Sequence, residues 1–171
     1  MIKPQIFFPE KQIIKRIAEL ADEIRQDYRG KSPLLLGILK GSVIFLSDMI
    51  RQLDMPVEID FIKLSSYRSQ TTSSGNVQLL QDTTLPIEGK DILIIEDIVD
   101  TGLTVSFLIS HLKTKNPSSV RLCTLLDKPS RRQVPVHIDY IGFTIPDKFV
   151  VGYGIDYNEQ FRHLRDICLI E

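Results

Sequence analysis

The chain has 171 residues, 43% of them hydrophobic, and its 21 lysines and arginines nearly balance 22 aspartates and glutamates. This length and apolar content predict one domain over residues 1–171, and the balanced charge gives no indication of a nucleic-acid partner. No apolar run suggests a secretory signal or a membrane span. Cys123 and Cys168 lie in apolar stretches, which favours buried, reduced thiols in a cytoplasmic protein.

Apolar residues recur along the chain with alternating periods. Between Pro9 and Gly30 they follow the 3.6-residue period of an amphipathic helix. Further along, strands are predicted at 34–39, 57–64, 92–98, 120–126 and 138–143, and helices at 42–53 and 105–113. This alternation predicts an α/β fold with a mainly parallel, twisted sheet flanked by helices.

The apolar run that begins at Ile92 leads into three carboxylates, Glu96, Asp97 and Asp100. A continuous apolar run is typical of a parallel strand buried on both faces, and ligands of open α/β sheets bind beyond the carboxyl ends of such strands. The three acids are therefore predicted to lie at a ligand site. The alternative is that Asp100 or Thr101 caps the next helix while Glu96 and Asp97 are solvated.

The turn that follows, Thr101-Gly102-Leu103-Thr104, leads into the helix predicted from Val105. Gly102 allows a close backbone approach or a positive φ, and the N-terminus of a helix favours an anion. These features predict a phosphate-binding loop. Carboxylates beside such a loop indicate a sugar phosphate, a divalent metal ion or both.

Four other features each have two interpretations. Residues 65–76 are rich in serine and threonine, and they form either a disordered surface loop or a lid. Lys40-Gly41 begins a helix with a solvated lysine or binds an anion. Lys128 belongs to a solvated charged loop or donates hydrogen bonds to a ligand acceptor. Phe149 belongs to the core or stacks on a ligand.

Several motifs together resemble one family. Residues 96–104, EDIVDTGLT, closely resemble the phosphoribosyl-pyrophosphate signature of the purine phosphoribosyltransferases of the hypoxanthine-guanine type. Residues 39–42, the pair Ser66-Tyr67, and residues 126–129 and 146–159 are also similar to that family, in its order and at its approximate spacing. The resemblance extends from about Leu34 to the C-terminus.

The resemblance implies a type I phosphoribosyltransferase fold, with a small hood over the base site and a flexible lid loop at about 65–76. In the family a Ser-Tyr pair, here Ser66-Tyr67, closes over the reacting centre, and such closure excludes water that would capture the sugar cation. The family also has a non-proline cis peptide bond before the loop lysine. If this bond is inherited, it joins Leu39 to Lys40.

The resemblance also implies a reaction and a role for each site residue. The reaction is the Mg²⁺-dependent transfer of ribose 5-phosphate from phosphoribosyl pyrophosphate to N9 of hypoxanthine or guanine, giving IMP or GMP and pyrophosphate in purine salvage. The resemblance implies that Glu96 and Asp97 contact the metal ion and the ribose, and that Asp156 binds a second magnesium ion. It implies that pyrophosphate is bound by Lys40, Gly41 and Arg162. The 5-phosphate would be bound by Thr101, Gly102, Leu103 and Thr104. Base recognition falls to Lys128, Phe149 and Val150, and the general base is Asp100.

Two positions depart from some relatives. Leu103 and Ser65 stand where those relatives have lysine, so the phosphate loop is expected to rely on backbone donors. Family resemblance suggests homodimers or homotetramers. The competing class is a regulator that binds phosphoribosyl pyrophosphate without turnover, whereas a dinucleotide oxidoreductase is disfavoured because no Gly-x-Gly-x-x-Gly turn follows a strand.

Overall fold

The computed structural model describes residues 3–66 and 77–170. The strands are β1 (Gln5–Phe8), β2 (Leu34–Leu39), β3 (Glu58–Ser66), β4 (Val77–Gln81), β5 (Asp91–Val99), β6 (Ser119–Asp127), β7 (Tyr140–Thr144), β8 (Val150–Val151) and β9 (Ile167–Leu169). The helices are α1 (Glu10–Asp27), α2 (Val43–Leu53) and α3 (Leu103–Lys113), with a short 3-10 helix at Pro129–Arg131. The predicted α/β alternation is therefore confirmed.

Six strands form the main sheet, in the order β4-β3-β2-β5-β6-β7. Five adjacent strands run parallel to one another: β3, β2, β5, β6 and β7. The edge strand β4 is antiparallel to its neighbour β3. From β2 the chain first moves outward to β3, and it later returns to place β5 on the other side of β2. The boundary between β2 and β5 is thus a topological switch point, where a crevice opens at the carboxyl ends of parallel strands.

Both faces of the sheet are covered by helices. In β5 the side chains alternate between the faces, as the period of two in a strand requires. Leu93 and Ile95 join the core formed with α1 and α2, whereas Ile92 and Ile94 join the core formed with α3. This double burial explains why β5 has a continuous apolar sequence, and it fixes the direction in which Glu96 and Asp97 leave the core.

A second, antiparallel sheet has the order β1-β9-β8 and joins both ends of the chain. Ile167 and Val150 of this sheet pack into the same core as α1 and α2. These three strands were not predicted from the sequence. Because β8 begins at Val150, the small sheet carries the segment that follows Phe149.

Two residues of the loop predicted at 65–76 lie in a strand instead. Ser65 and Ser66 belong to β3, where they pair with Gln78 and Val77 of β4. Residues 67–76, including Tyr67 and most of the predicted lid, lie outside the described residues, as does the side chain of Ser66. Among the helices that the structure describes, none combines the length and apolar character needed to cross a membrane.

Candidate active site

Glu96 and Asp97 lie side by side near the carboxyl end of β5. Only 6% of Glu96 is exposed. The Asp97 N–H donates a hydrogen bond to Glu96 Oε1 (3.1 Å), and the Ile98 N–H donates one to Asp97 Oδ1 (2.9 Å). Backbone groups of the strand end therefore fix both carboxylates, and the alternative in which Glu96 is solvated is wrong.

Burial makes both carboxylates costly to ionise. Burial, followed by the negative charge of Asp97, raises the pKa of Glu96 well above its ordinary value. Burial also raises the pKa of Asp97, although hydrogen bonds and the Arg162 guanidinium act in the opposite direction. The pair thus lacks positive charge and hydrogen-bond donors. A bound cation would supply the charge, and the hydroxyl groups of a ligand would supply the donors.

The loop after β2 packs directly against Asp97. A side-chain carbon placed on Gly41 would overlap with the Asp97 carboxylate, and one placed on Gly154 would overlap with the Gly41 carbonyl oxygen. The peptide bond between Leu39 and Lys40 is cis, which confirms the expectation from the resemblance. Segments from β2, β5 and the region after β8 therefore meet at one point, at the switch point of the sheet.

The turn after β5 has the form of an anion-binding loop. Gly102 is the N-cap of α3 with a φ of +83°, and a side-chain carbon there would lie 2.8 Å from the Val134 carbonyl oxygen. The helix begins at Leu103, two residues before the predicted start, and its N-cap residue is Gly102, so neither Asp100 nor Thr101 occupies the N-cap position. The Leu103 N–H donates to Thr101 Oγ1 (3.3 Å), and the helical ladder starts with the Ser106 N–H.

The N–H groups of Thr104 and Val105 therefore precede the first hydrogen bond of the helix and can bind a ligand. Residues 96–102, Thr104 and Val105 enclose a cavity of about 130 Å³ at this point. The residues that line it include no lysine or arginine. This agrees with a loop that binds an anion through backbone donors, as the departure at Leu103 predicted.

Asp100 is held by the short helix after β6. Its Oδ1 lies 3.0 Å from Arg131 Nε, with an alignment that makes the contact an ion pair rather than a good hydrogen bond. Its backbone carbonyl accepts a hydrogen bond from Arg132 Nε (3.1 Å), and Arg132 also pairs with Asp127. The Asp100 carboxylate, at the end of β5, is thus oriented by residues that follow the neighbouring strand β6.

Lys128 occupies the corresponding end of β6. Its backbone N–H donates to the Val99 carbonyl (2.9 Å), which places it beside Asp100, and only 8% of its side chain is exposed. The solvated-loop interpretation of Lys128 is therefore wrong. The ammonium lies 3.8 Å from Asp147 Oδ1, beyond hydrogen-bond range, so this carboxylate does not use its donors.

Phe149 precedes β8 and is 51% exposed, which rules out the core interpretation. Its ring meets the Tyr157 ring edge to face, with 5.5 Å between the centroids. Val150, by contrast, is buried in β8. An exposed aromatic ring whose position is fixed by a second aromatic ring is suited to stack on a flat apolar ligand.

Lys40 and Arg162 converge on one carboxylate, that of Glu159. Lys40 Nζ lies 3.0 Å and Arg162 Nη2 3.4 Å from Glu159 Oε2. Arg162 is further fixed by its hydrogen bond to the Gly154 carbonyl (2.8 Å) and by Asp156, whose Oδ1 lies 2.8 Å from Nη2. Lys40 and Arg162, the two charged residues predicted to bind pyrophosphate, are therefore close enough to hold a single anion.

The structure does not bring all three predicted metal ligands together. Among residues 3–66 and 77–170, no group of three or more aspartate, glutamate, histidine or cysteine side chains converges as a metal site. Asp156 instead pairs with Arg162 and accepts the Glu159 N–H (2.8 Å). A magnesium ion would thus meet at most one or two of these carboxylates at a time.

Three charged residues of the site were given no role by sequence reasoning: Arg131, Asp147 and Glu159. All three follow a recognised motif or lie within one, yet nothing in the local pattern distinguishes them from solvated surface charges. Their importance comes from contacts between loops that are far apart in the sequence.

Comparison with known proteins identifies the class. A model of the phosphoribosyl transferase domain matches residues 6–158. The chain belongs to the phosphoribosyltransferase family of enzymes.

Relatives and a solved structure narrow the grouping. The hypoxanthine-guanine phosphoribosyltransferase of Mycobacterium avium is 48% identical over 97% of this chain and 85% of its own length. The crystal structure of a hypoxanthine-guanine phosphoribosyltransferase from Bacillus anthracis superimposes with a TM-score of 0.94, at 43% identity, over the whole of both chains. The bifunctional protein TilS/HprT of Listeria innocua is 42% identical over 98% of this chain, which spans only 26% of that protein's length. Within the family, the chain groups with the hypoxanthine-guanine phosphoribosyltransferases.

Proposed function

We propose that this protein catalyses the Mg²⁺-dependent transfer of the 5-phosphoribosyl group from phosphoribosyl pyrophosphate to N9 of hypoxanthine or guanine, giving IMP or GMP and pyrophosphate. The observation that carries the choice of base is Lys128, a nearly buried ammonium at the strand end beside Asp100. An ammonium has only donors, so it can satisfy a 6-oxo acceptor and would leave the 6-amino group of adenine unpaired. Unsatisfied polar groups in a closed site discriminate strongly between ligands.

The positions of the other residues support a division of the substrate into three parts. The loop from Thr101 to Thr104 suits the 5-phosphate, because its amides precede the ladder of α3. Lys40 and Arg162 suit the leaving pyrophosphate, because they already converge on an anion. Phe149 offers a face for the purine ring, and the buried Val150 backbone is proposed to read the base edge.

Asp100 is proposed as the general base. In the reaction, the bond from N9 to C1′ of the ribose forms while the bond from C1′ to the pyrophosphate oxygen breaks. The purine loses a proton, which we assign to N7, and Asp100 accepts it. Arg131, 3.0 Å from Asp100 Oδ1, holds the carboxylate in place for this transfer.

The donor set of the site fits magnesium. Glu96 and Asp97 form a crowded, buried carboxylate pair short of positive charge, and Asp156 offers a third carboxylate beside Arg162. When bound, magnesium would neutralise charge on the phosphate oxygens of the substrate and leaving group. Because no three-carboxylate cage is formed among the described residues, substrate oxygens and water are proposed to complete its coordination, as magnesium sites commonly require.

The proposal is tested by measuring pyrophosphate release from phosphoribosyl pyrophosphate with hypoxanthine, guanine, xanthine and adenine, with and without magnesium. The expected result is turnover with hypoxanthine or guanine, none with adenine, and dependence on the metal. Binding of phosphoribosyl pyrophosphate without turnover of any 6-oxopurine would instead support the competing class, a regulator that binds this compound without turning it over. Assembly into dimers or tetramers and a cytoplasmic location stay predictions.

A further inference from the structure

The anion that joins Lys40 and Arg162 belongs to the protein itself. Glu159 Oε2 lies 3.0 Å from the Lys40 ammonium and 3.4 Å from the Arg162 guanidinium. These are the two cations assigned above to pyrophosphate. A carboxylate of the chain therefore pairs with both cations of the proposed pyrophosphate site.

The position of Glu159 is set by a tight turn. Tyr157 and Gln160 exchange two backbone hydrogen bonds, of 3.1 and 3.0 Å, and both intervening residues have positive φ, +51° for Asn158 and +61° for Glu159. This is the pattern of a type I′ turn. The Glu159 N–H is also held by Asp156 Oδ2 (2.8 Å). The backbone thus presents the Glu159 carboxylate to the two cations from a fixed position.

The Glu159 side chain, in contrast, can move away from Lys40 and Arg162 without exposing a buried group to solvent. It is 66% exposed, and its hydrogen bond with Lys40 is the main reason why the pKa of Glu159 lies below its ordinary value. Solvent-exposed pairs of this kind contribute little, because water and salt screen them. A pyrophosphate group carries more charge and more acceptor oxygens than one carboxylate, so it can displace Glu159 from both cations.

We infer that Glu159 is an internal competitor for the pyrophosphate site: it pairs with Lys40 and Arg162 in the free protein, swings out when a diphosphate binds, and returns as pyrophosphate leaves. The inference rests on the proposed function, since that function assigns the site to pyrophosphate. The competition weakens binding of free pyrophosphate. It therefore assists product release.

The test is the affinity of the full-length protein for inorganic pyrophosphate, measured by calorimetry with magnesium at low and high salt. Glu159→Gln should bind about 2- to 5-fold more tightly at low salt, the range expected from the loss of a screened ion pair. The gain should shrink at high salt. Glu19→Gln is the matched control, because Glu19 also forms an exposed pair, with Arg16, on α1. It should leave the affinity unchanged.

Glu159→Asp separates occupancy of the site from a general charge effect. Aspartate keeps the charge but is one methylene shorter, so it cannot reach both cations, and we expect tighter binding here too. Wild-type affinity in Glu159→Asp, with a gain only in Glu159→Gln, would overturn the inference in favour of a long-range field. Equal or weaker binding by Glu159→Gln would also overturn it while the proposed function stands. Failure of the wild-type protein to bind either pyrophosphate or phosphoribosyl pyrophosphate would reject both.

Discussion

Asp100 illustrates how one residue acquires a role from two strands. It leaves the carboxyl end of β5, while Arg131 and Arg132, which follow β6, hold its side chain and its carbonyl. A carboxylate fixed at the edge of a ligand crevice can accept a proton without first reorganising. This arrangement distinguishes Asp100 from Glu96 and Asp97, whose carboxylates are buried against each other.

Asp100→Asn should therefore lower kcat by about 10²-fold or more with a modest change in KM, because the amide keeps the shape but cannot accept the proton. Steady-state kinetics with hypoxanthine and phosphoribosyl pyrophosphate would measure this. Asp22→Asn, on the exposed face of α1, is the control and should retain wild-type turnover. Undiminished turnover in Asp100→Asn would remove this residue from the general-base role.

A second prediction at this scale concerns the choice of base. Lys128→Met keeps an apolar stem of similar length in a nearly buried position but removes every donor. We expect kcat/KM for hypoxanthine to fall about 10- to 100-fold, the value of a hydrogen bond to a charged group. The preference for hypoxanthine over adenine, measured as the ratio of their kcat/KM values, should decrease. Lys148→Met, at an exposed position two residues before Val150, should preserve both quantities; if Lys128→Met does so as well, Lys128 does not read the base.

Much of the candidate site could be predicted residue by residue because many of its polar groups belong to contiguous segments of the sequence. The acids and the loop from Glu96 to Thr104 are one segment, and Lys128 directly follows a strand. Glu159 could not be given a role in the same way, since its partners Lys40 and Arg162 become neighbours only when the loops fold together. A pattern of charges along the chain does not reveal which charges meet across it.

Among the elements, periodicity predicted the strands with strong patterns and missed the weak ones. The central strands β2, β5 and β6 are mostly buried and apolar, so their sequences are distinctive. β8 has two residues and β9 three, and β1 pairs with β9 across almost the entire length of the chain. Strands this short lack a readable period, and the pairing of chain ends is decided by the shared core rather than by local preference.

The meeting of three elements at Gly41 leads to a prediction. Gly41→Ala would place a carbon in the space of the Asp97 carboxylate, on a loop already in contact with Gly154. We expect the KM for phosphoribosyl pyrophosphate to rise by about 10-fold or more and overpacking to cost about 1–3 kcal/mol of unfolding free energy. Kinetics and urea denaturation measure the two effects.

The control for Gly41→Ala is Gly30→Ala. Gly30 has a φ of +75° and open space around its missing side chain, so alanine there strains the backbone far from the crevice. Stability should fall while the KM stays at the wild-type value. If Gly41→Ala also changed stability alone, the close approach of Gly41 and Asp97 would be a packing feature and not part of the substrate site.

Across the whole molecule, ionised carboxylates connect elements that the backbone does not join. Asp82, after β4, accepts hydrogen bonds from Lys115 Nζ (2.6 Å) and the Thr83 N–H (2.7 Å), and it pairs with His111 of α3 (3.0 Å). Burial opposes its ionisation, but these bonds outweigh burial and lower the pKa of Asp82 to about 2. Asp60 similarly accepts the N–H groups of Thr84 and Leu85, and its pKa is also lowered.

These connections predict how stability depends on pH. The ordinary pKa of an aspartate is 3.8, so on acidification the unfolded chain takes up protons before the folded one, in which the pKa of Asp82 is about 2. The stabilisation is therefore present above pH 3.8 and is lost as the pH falls through the folded-state value. We expect the unfolding free energy, measured with urea, to fall between about pH 5 and about pH 2.

Asp82→Asn should lower stability near neutral pH and flatten this acid-side decrease, because the amide cannot titrate and accepts a weaker bond from Lys115. Exposed Glu88→Gln, in the loop between β4 and β5, should leave the curve unchanged. Parallel curves for wild type and Asp82→Asn would mean that the contact between this loop and α3 does not contribute through charge. A flattened curve would show that this ionised carboxylate stabilises the contact between the loop after β4 and the C-terminal end of α3.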